Sequence, residues 1–152
     1  VRAAERGVPI LAECGGMMYL CRSITDMEGA AFEMAGILPA SCRMQHRLEA
    51  VGYVEARALR DTVLCPEGAV LRGHEFHFSV VEPDGGPFPF ALDITRVRTG
   101  ATRPGGYAKG NVLGSYLHLN FMGSPAAADH FLRRCLEFRN SRGLREGLGP
   151  TA

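Results

Sequence analysis

The 152-residue sequence has no apolar run approaching the roughly 20 residues that span a bilayer, and no secretory leader is visible at its start. It has no basic stripe: the net charge is +1, with Lys and Arg spread along the chain. That excludes the electrostatic footprint of a nucleic-acid or membrane-surface binder. It has no Gly-rich phosphate loop of the G-x-x-x-x-G-K-[ST] type, so nucleotide phosphates are not handled by that device here. It has no C-x-x-C. The five cysteines, Cys14, Cys21, Cys42, Cys65 and Cys135, are scattered and odd in number. A disulfide framework and a zinc site are both disfavoured, and a reducing cytoplasm is the expected compartment. Internal repeats and low-complexity tracts are absent as well.

What is present is the balance of a globular domain, 46% hydrophobic and 22% charged residues, long enough for a real core. The chain opens at Val1 without a methionine and reads as a piece of a longer protein. Residues 1–7 read as a helix end stopped by Gly7. Val8 to Ala12 is an apolar run suited to a strand buried on both faces. Glu13-Cys14-Gly15-Gly16 is a sharp turn, and Met17 to Arg22 opens a helix. This alternation is the rhythm of a parallel α/β sheet. Further on, residues 51–57, 69–72, 74–81 and 91–98 read as strands with short connections, which favours antiparallel pairing. Pro104-Gly105-Gly106 reads as a loop and residues 111–117 as another apolar strand. Ser124 caps a last helix with Pro125 at its first position. Ala128, Phe131, Leu132, Cys135 and Leu136 are spaced as its packing face. The expected fold class is α/β, an open mostly parallel sheet with an antiparallel section. One partial domain is expected over residues 1–142, with a flexible tail over 143–152.

The segment that carries chemistry is Ala12 to Gly16. A nucleophile on a tight strand-to-helix turn needs small residues two before and two after it, because the backbone doubles back on itself. Ala12 and Gly16 meet that need. The helix start favours the thiolate of Cys14, its reactive form, and the N–H of Gly15 can donate to an oxyanion. The other four cysteines lack this context and read as structural. A cysteine nucleophile needs a proton-transfer base. Of His46, His74, His77, His118 and His130, the best placed is His118, at the end of an apolar strand, where open α/β sheets gather their chemistry. His130 reads as surface and His46 as loop. Asn120, two residues after His118, is the candidate to orient the imidazole. In Gly73-His74-Glu75-Phe76-His77-Phe78-Ser79, strand alternation puts His74 and His77 on opposite faces, which disfavours a shared metal. Glu75 and His77 share a face and suit a polar ligand.

The segments PILAECGGMMYL (9–20), MQHRLEAVGYVEA (44–56), RGHEFHFS (72–79) and NVLGSYLHLNF (111–121) resemble the C-terminal glutamine amidotransferase domain of cobyrinic acid a,c-diamide synthases. The resemblance implies a class I (triad-type, flavodoxin-like) fold truncated on its N-terminal side. It implies a glutamyl thioester on Cys14, with His118 as acid and base and no third-member glutamate. Arg72, Glu75 and His77 stand where relatives hold glutamine. It implies ammonia delivery to a synthetase domain using ATP and Mg2+, which amidates the a and c carboxylates of a corrinoid. No cofactor or metal is expected in this piece. The expected partners are L-glutamine and the corrinoid, and a homodimer is left open. Two alternatives stand beside this reading: a nickel-tetrapyrrole a,c-diamide synthase module, and a cysteine hydrolase or peptidase with the same turn. A non-catalytic module is disfavoured by the pair Cys14 and His118.

Overall fold

A computed structural model describes residues 1–146. The elements follow in chain order: α1 (Arg2–Glu5), β1 (Ile10–Glu13), α2 (Gly15–Leu20), β2 (Ser23–Thr25), β3 (Ala31–Glu33), β4 (Ala40–Met44), β5 (Ala50–Ala58), β6 (Val70–His77), β7 (Ser79–Pro83), β8 (Phe90–Arg96), β9 (Thr102–Lys109), β10 (Val112–Ser115), a 3-10 turn (Phe121–Gly123) and α3 (Pro125–Glu146). The fold is α/β, built on two sheets. One runs β1-β10-β9-β8-β5-β6 and the other β3-β2-β4-β7.

Parallel pairing joins β1 to β10 and β2 to β4. The remaining neighbours are antiparallel. Within the described residues the antiparallel section is therefore larger than the sequence suggested. The cause is connection length: short links such as that between β9 and β10 can only return the chain antiparallel. Among the described residues no helix is long and apolar enough to cross a membrane.

The six-stranded sheet is covered on both faces at β9 and β10. Leu113, Ala108, Leu92 and Ile94 pack toward Ala127 and Phe131 of α3. Their strand neighbours Val112 and Tyr107 pack with Met17 and Leu20 of α2 and with Leu38, Ala40 and Cys42. Successive residues of a strand point to opposite faces, so a strand covered on both faces is apolar throughout. β10 follows that pattern in Val112, Leu113 and Gly114; Ser115 is buried too, its hydroxyl oxygen accepting from Leu117 N–H at 3.0 Å.

Several expected boundaries move. Gly73 does not divide two strands: β6 runs through it, and the break falls at Phe78, after which the chain enters the second sheet. Pro104-Gly105-Gly106 lies inside β9, not in a loop. Glycine is needed there because a Cβ on Gly105 would stand 2.8 Å from Ile94 Cγ1, and because Gly106 holds φ +62°. In α3, Leu132 and Leu136 are exposed, so its packing stripe is narrower than the spacing implied. The helix continues to Glu146, past the expected end of the domain at 142. The rest of the expected tail, 147–152, lies outside the described residues.

Candidate active site

Cys14 stands between β1 and α2 with φ 49° and ψ −108°. Among the described residues it is the one non-glycine with positive φ. Such a conformation costs about 1–3 kcal/mol and persists only where its surroundings enforce it. Here the enforcement is visible. The Cys14 N–H donates to Ser115 O at 2.8 Å, continuing the β1–β10 ladder, and Met18 N–H donates to Cys14 O at 3.1 Å, opening the helix. A Cβ on Gly16 would meet Ala12 Cβ at 3.4 Å. The two small residues therefore face each other across the turn, and anything larger at both positions would push it open. As first residues of a helix, Gly15 and Gly16 have N–H groups without intrahelical acceptors. The thiol of Cys14 points to Phe76 O on β6 at 3.8 Å.

His118 lies three residues beyond β10. It is fastened to β6 by reciprocal backbone bonds with His74, His74 N–H to His118 O at 3.2 Å and His118 N–H to His74 O at 2.8 Å. This approach requires glycine at 73, where a Cβ would stand 2.3 Å from the His118 carbonyl oxygen. β6 therefore touches Cys14 through Phe76 and His118 through His74, two residues apart, or roughly 7 Å along a strand. The His118 Nδ1 is 4.0 Å from Glu13 Oε2, and the other Glu13 oxygen accepts from Leu119 N–H at 3.2 Å. The carboxylate beside His118 is thus Glu13, the residue before Cys14. Asn120 instead caps the 3-10 turn, its Oδ1 accepting from Met122 N–H at 2.9 Å. The signal for Glu13 was present in the sequence: one carboxylate ends an otherwise apolar strand, which the structure leaves half-buried at the sheet edge.

Arg72 opens onto the same cleft as Glu13, His74 and His118, ion-paired with Glu55 at 2.9 Å. Glu75 and His77 do not. They project from the opposite face of β6 into a separate cavity of about 300 Å³. Glu75 is buried and held through both oxygens by Arg103, at 2.8 and 2.7 Å. The His77 ring stacks on Tyr116 at 3.6 Å, and its Nδ1 lies 2.8 Å from Ser79 O. Glu75 and His77 share a face as expected, but it is the interior one, away from Cys14. His130 is partly buried, with Nε2 3.2 Å from Thr62 O.

Titration separates these groups. Burial pushes the Cys21 thiol up to about 12 and raises Cys42 and Cys65 as well, so all three stay protonated and unreactive. Burial likewise holds His77 below its ordinary value, against the raising effect of its bond to Ser79. The unfolded chain then binds a proton at this residue that the folded chain refuses, and stability falls as pH drops below about 6.5. The expected result is a Tm that declines on acidification from pH 7, with a shallower decline in His77→Gln. Thermal melts at stepped pH check it. An equally steep decline in the variant would assign the acid sensitivity elsewhere.

The profile of the CobB/CobQ-like glutamine amidotransferase domain matches residues 1–126. The chain is 41% identical to the cobyrinate a,c-diamide synthase of Salmonella typhimurium over 136 residues, 87% of this chain and 29% of that one. It is 44% identical to the synthase of the same name from Listeria monocytogenes over 131 residues, 84% of this chain and 28% of the relative. Identity to the Haloarcula marismortui synthase is 42% over 132 residues, 87% and 29%. A glutamine amidotransferase structure from Thermotoga maritima aligns over 98% of this chain and 54% of that one, with TM-score 0.49 and 14% identity. The chain spans less than a third of the length of these three synthases. A cysteine on a strained strand-to-helix turn, a histidine on the neighbouring parallel strand's extension and a match over most of the sequence agree: the chain belongs to the CobB/CobQ-like glutamine amidotransferase domains.

Proposed function

We propose that this chain is the glutamine-hydrolysing module of an ATP-dependent cobyrinate a,c-diamide synthase. The observation that carries the chemistry is the strained Cys14, joined through β6 and Glu13 to His118. Cys14 sulfur attacks the side-chain amide carbon of glutamine while His118 takes the thiol proton. The carbonyl oxygen, now negative, accepts from the Gly15 N–H. As the C–N bond breaks, His118 returns the proton to the leaving nitrogen, and ammonia departs. His118 then takes a proton from water, which attacks the glutamyl thioester and releases glutamate and the thiolate.

Glu13, 4.0 Å from Nδ1, stands in place of Asn120 as the partner of the imidazole and offsets its charge when protonated. Arg72 supplies the cation nearest the cleft for the glutamine carboxylate. Glu75 and His77 are left out of glutamine binding, because they face the other cavity.

The relatives' shared name favours a corrinoid over a nickel tetrapyrrole as the amidated substrate. ATP and Mg2+ belong to the synthetase part of the longer protein. A cytoplasmic setting fits a free catalytic thiol, and a homodimer is compatible with the chain.

The test is the nitrogen source. The full-length enzyme, given glutamine labelled with 15N in its side-chain amide and an excess of unlabelled ammonium at neutral pH, is expected to place 15N in the a and c amides of the product. Product carrying only the isotope ratio of the bulk ammonium would refute the proposal.

A further inference from the structure

The cleft contains a second imidazole that the reaction above does not use. His74 stacks on His118, with ring centroids 4.9 Å apart and planes inclined by 17°. The alignment follows from the backbone. The two residues are directly opposed across an antiparallel bridge, and side chains of such a pair stand on the same face with Cβ atoms about 5 Å apart. Gly73 makes the contact possible, since any side chain there would lift β6 off the His118 carbonyl. The alternation along β6 does the rest: Leu71, Glu75 and His77 are buried, and Arg72, His74 and Phe76 face outward on the side of the cleft.

We propose that His74 is a positioning residue, the platform that fixes the plane of the His118 imidazole; this rests on reading His118 as the proton-transfer base. His118 needs such a platform. β10 ends at Ser115, three residues earlier, and the 3-10 turn begins only at Phe121. The regular ladder therefore no longer holds it, and its side chain is one-third exposed. The terminal torsion of a histidine is broad and roughly two-fold, so a ring held on one edge alone can turn its second nitrogen away from the sulfur. Glu13 Oε2 stands 4.0 Å from Nδ1, beyond hydrogen-bond distance, and does not lock that edge. The His74 ring, lying nearly parallel, removes rotation out of that plane. Offset stacking of this kind needs an aromatic face and no proton of its own. The role therefore predicts that a phenyl ring replaces the imidazole and that a methyl group does not.

The experiment uses the full-length enzyme with His74→Ala and His74→Phe, measuring glutamine hydrolysis and, separately, amidation from ammonium. Base catalysis contributes about 10²–10⁴-fold, so a partly disoriented base forfeits roughly a tenfold share. His74→Ala should lower kcat for glutamine by that amount while KM stays within about twofold, because the ring acts on the base and not on substrate. Ammonium-dependent amidation should be unchanged. His74→Phe should recover kcat to within about threefold of the parent. A general loss of structure would lower both nitrogen sources together, so the split between them isolates the effect. Unchanged kcat in His74→Ala overturns the proposal. So does a His74→Phe enzyme as slow as His74→Ala with ammonium use intact, which would make the imidazole itself a participant. A parent enzyme that hydrolyses no glutamine overturns the amidotransferase reading, and the positioning role with it.

Discussion

Cys14→Ala in the full-length enzyme is expected to reduce glutamine-dependent amidation by about four orders of magnitude or more, because no other group can form the thioester. Amidation supported by ammonium should persist at the parent rate, since the synthetase chemistry does not pass through the sulfur. Alanine is the right replacement because it keeps the Cβ and so leaves the strained turn as it was. Glycine makes an instructive contrast. At φ 49° and ψ −108° an L side chain is held outside its ordinary regions. Cys14→Gly should be equally inactive with glutamine but more stable than Cys14→Ala by about 1 kcal/mol, with the gain from relieved strain partly offset by glycine's larger unfolded-state entropy. Thermal unfolding of the two variants reads that difference directly. A gain in stability with loss of function is the mark of a residue kept strained for chemistry. If Cys14→Ala lost both nitrogen sources equally in a folded enzyme, the thiol would have no special tie to glutamine.

Gly73→Ala is the second large effect, and it comes from a position that carries no chemistry. Its Cβ would stand 2.3 Å from the His118 carbonyl oxygen and 2.8 Å from Leu117 Cδ1. The first neighbour is backbone and cannot swing aside. Relief requires β6 and the His118 segment to separate, which breaks the reciprocal His74–His118 bonds. Losing two such bonds at about 1 kcal/mol each, together with overpacking strain of about 1–3 kcal/mol, gives an expected destabilisation of about 3–5 kcal/mol. Catalysis falls along with stability. A displacement of about 1 Å in a catalytic group costs on the order of 100-fold, so glutamine hydrolysis should fall by at least that factor in the fraction that remains folded. Denaturant melts and glutaminase assays on the same preparation separate the two. A fully active Gly73→Ala would mean that β6 does not fasten the base.

The strained strand-to-helix turn at Cys14 was legible in the sequence because its determinants are local. An apolar strand, two small residues flanking the cysteine at the right spacing and helix formers after it all lie within a dozen positions. β5 and β8 were legible for the same reason. Glycine misled at Gly73 and in Pro104-Gly105-Gly106. Each reads locally as a break, yet the structure uses glycine there for close approach, to His118 in one case and to Ile94 in the other. Alternation correctly paired Glu75 with His77 and opposed both to His74. It could not tell which face was the interior, because that depends on β7, β9 and the second sheet packing against it. β2, β3 and β4 gave no periodic signal, being three to five residues long. Asn120 was favoured by its distance from His118 along the chain. Glu13 reaches the imidazole through parallel pairing of β1 with β10, a contact 105 residues apart in sequence that spacing alone cannot reveal.

One experiment tests both Cys14 as the nucleophile and glutamine as its substrate. Mass spectrometry of the full-length enzyme after treatment with 6-diazo-5-oxo-norleucine, with and without excess glutamine, tests both parts at once. The expected result is a single adduct on Cys14 that glutamine suppresses. Cys21, Cys42 and Cys65 are buried and stay unmodified, and the half-buried Cys135 serves as the internal control. An adduct on Cys135 alone, or one on Cys14 that glutamine leaves untouched, would contradict it.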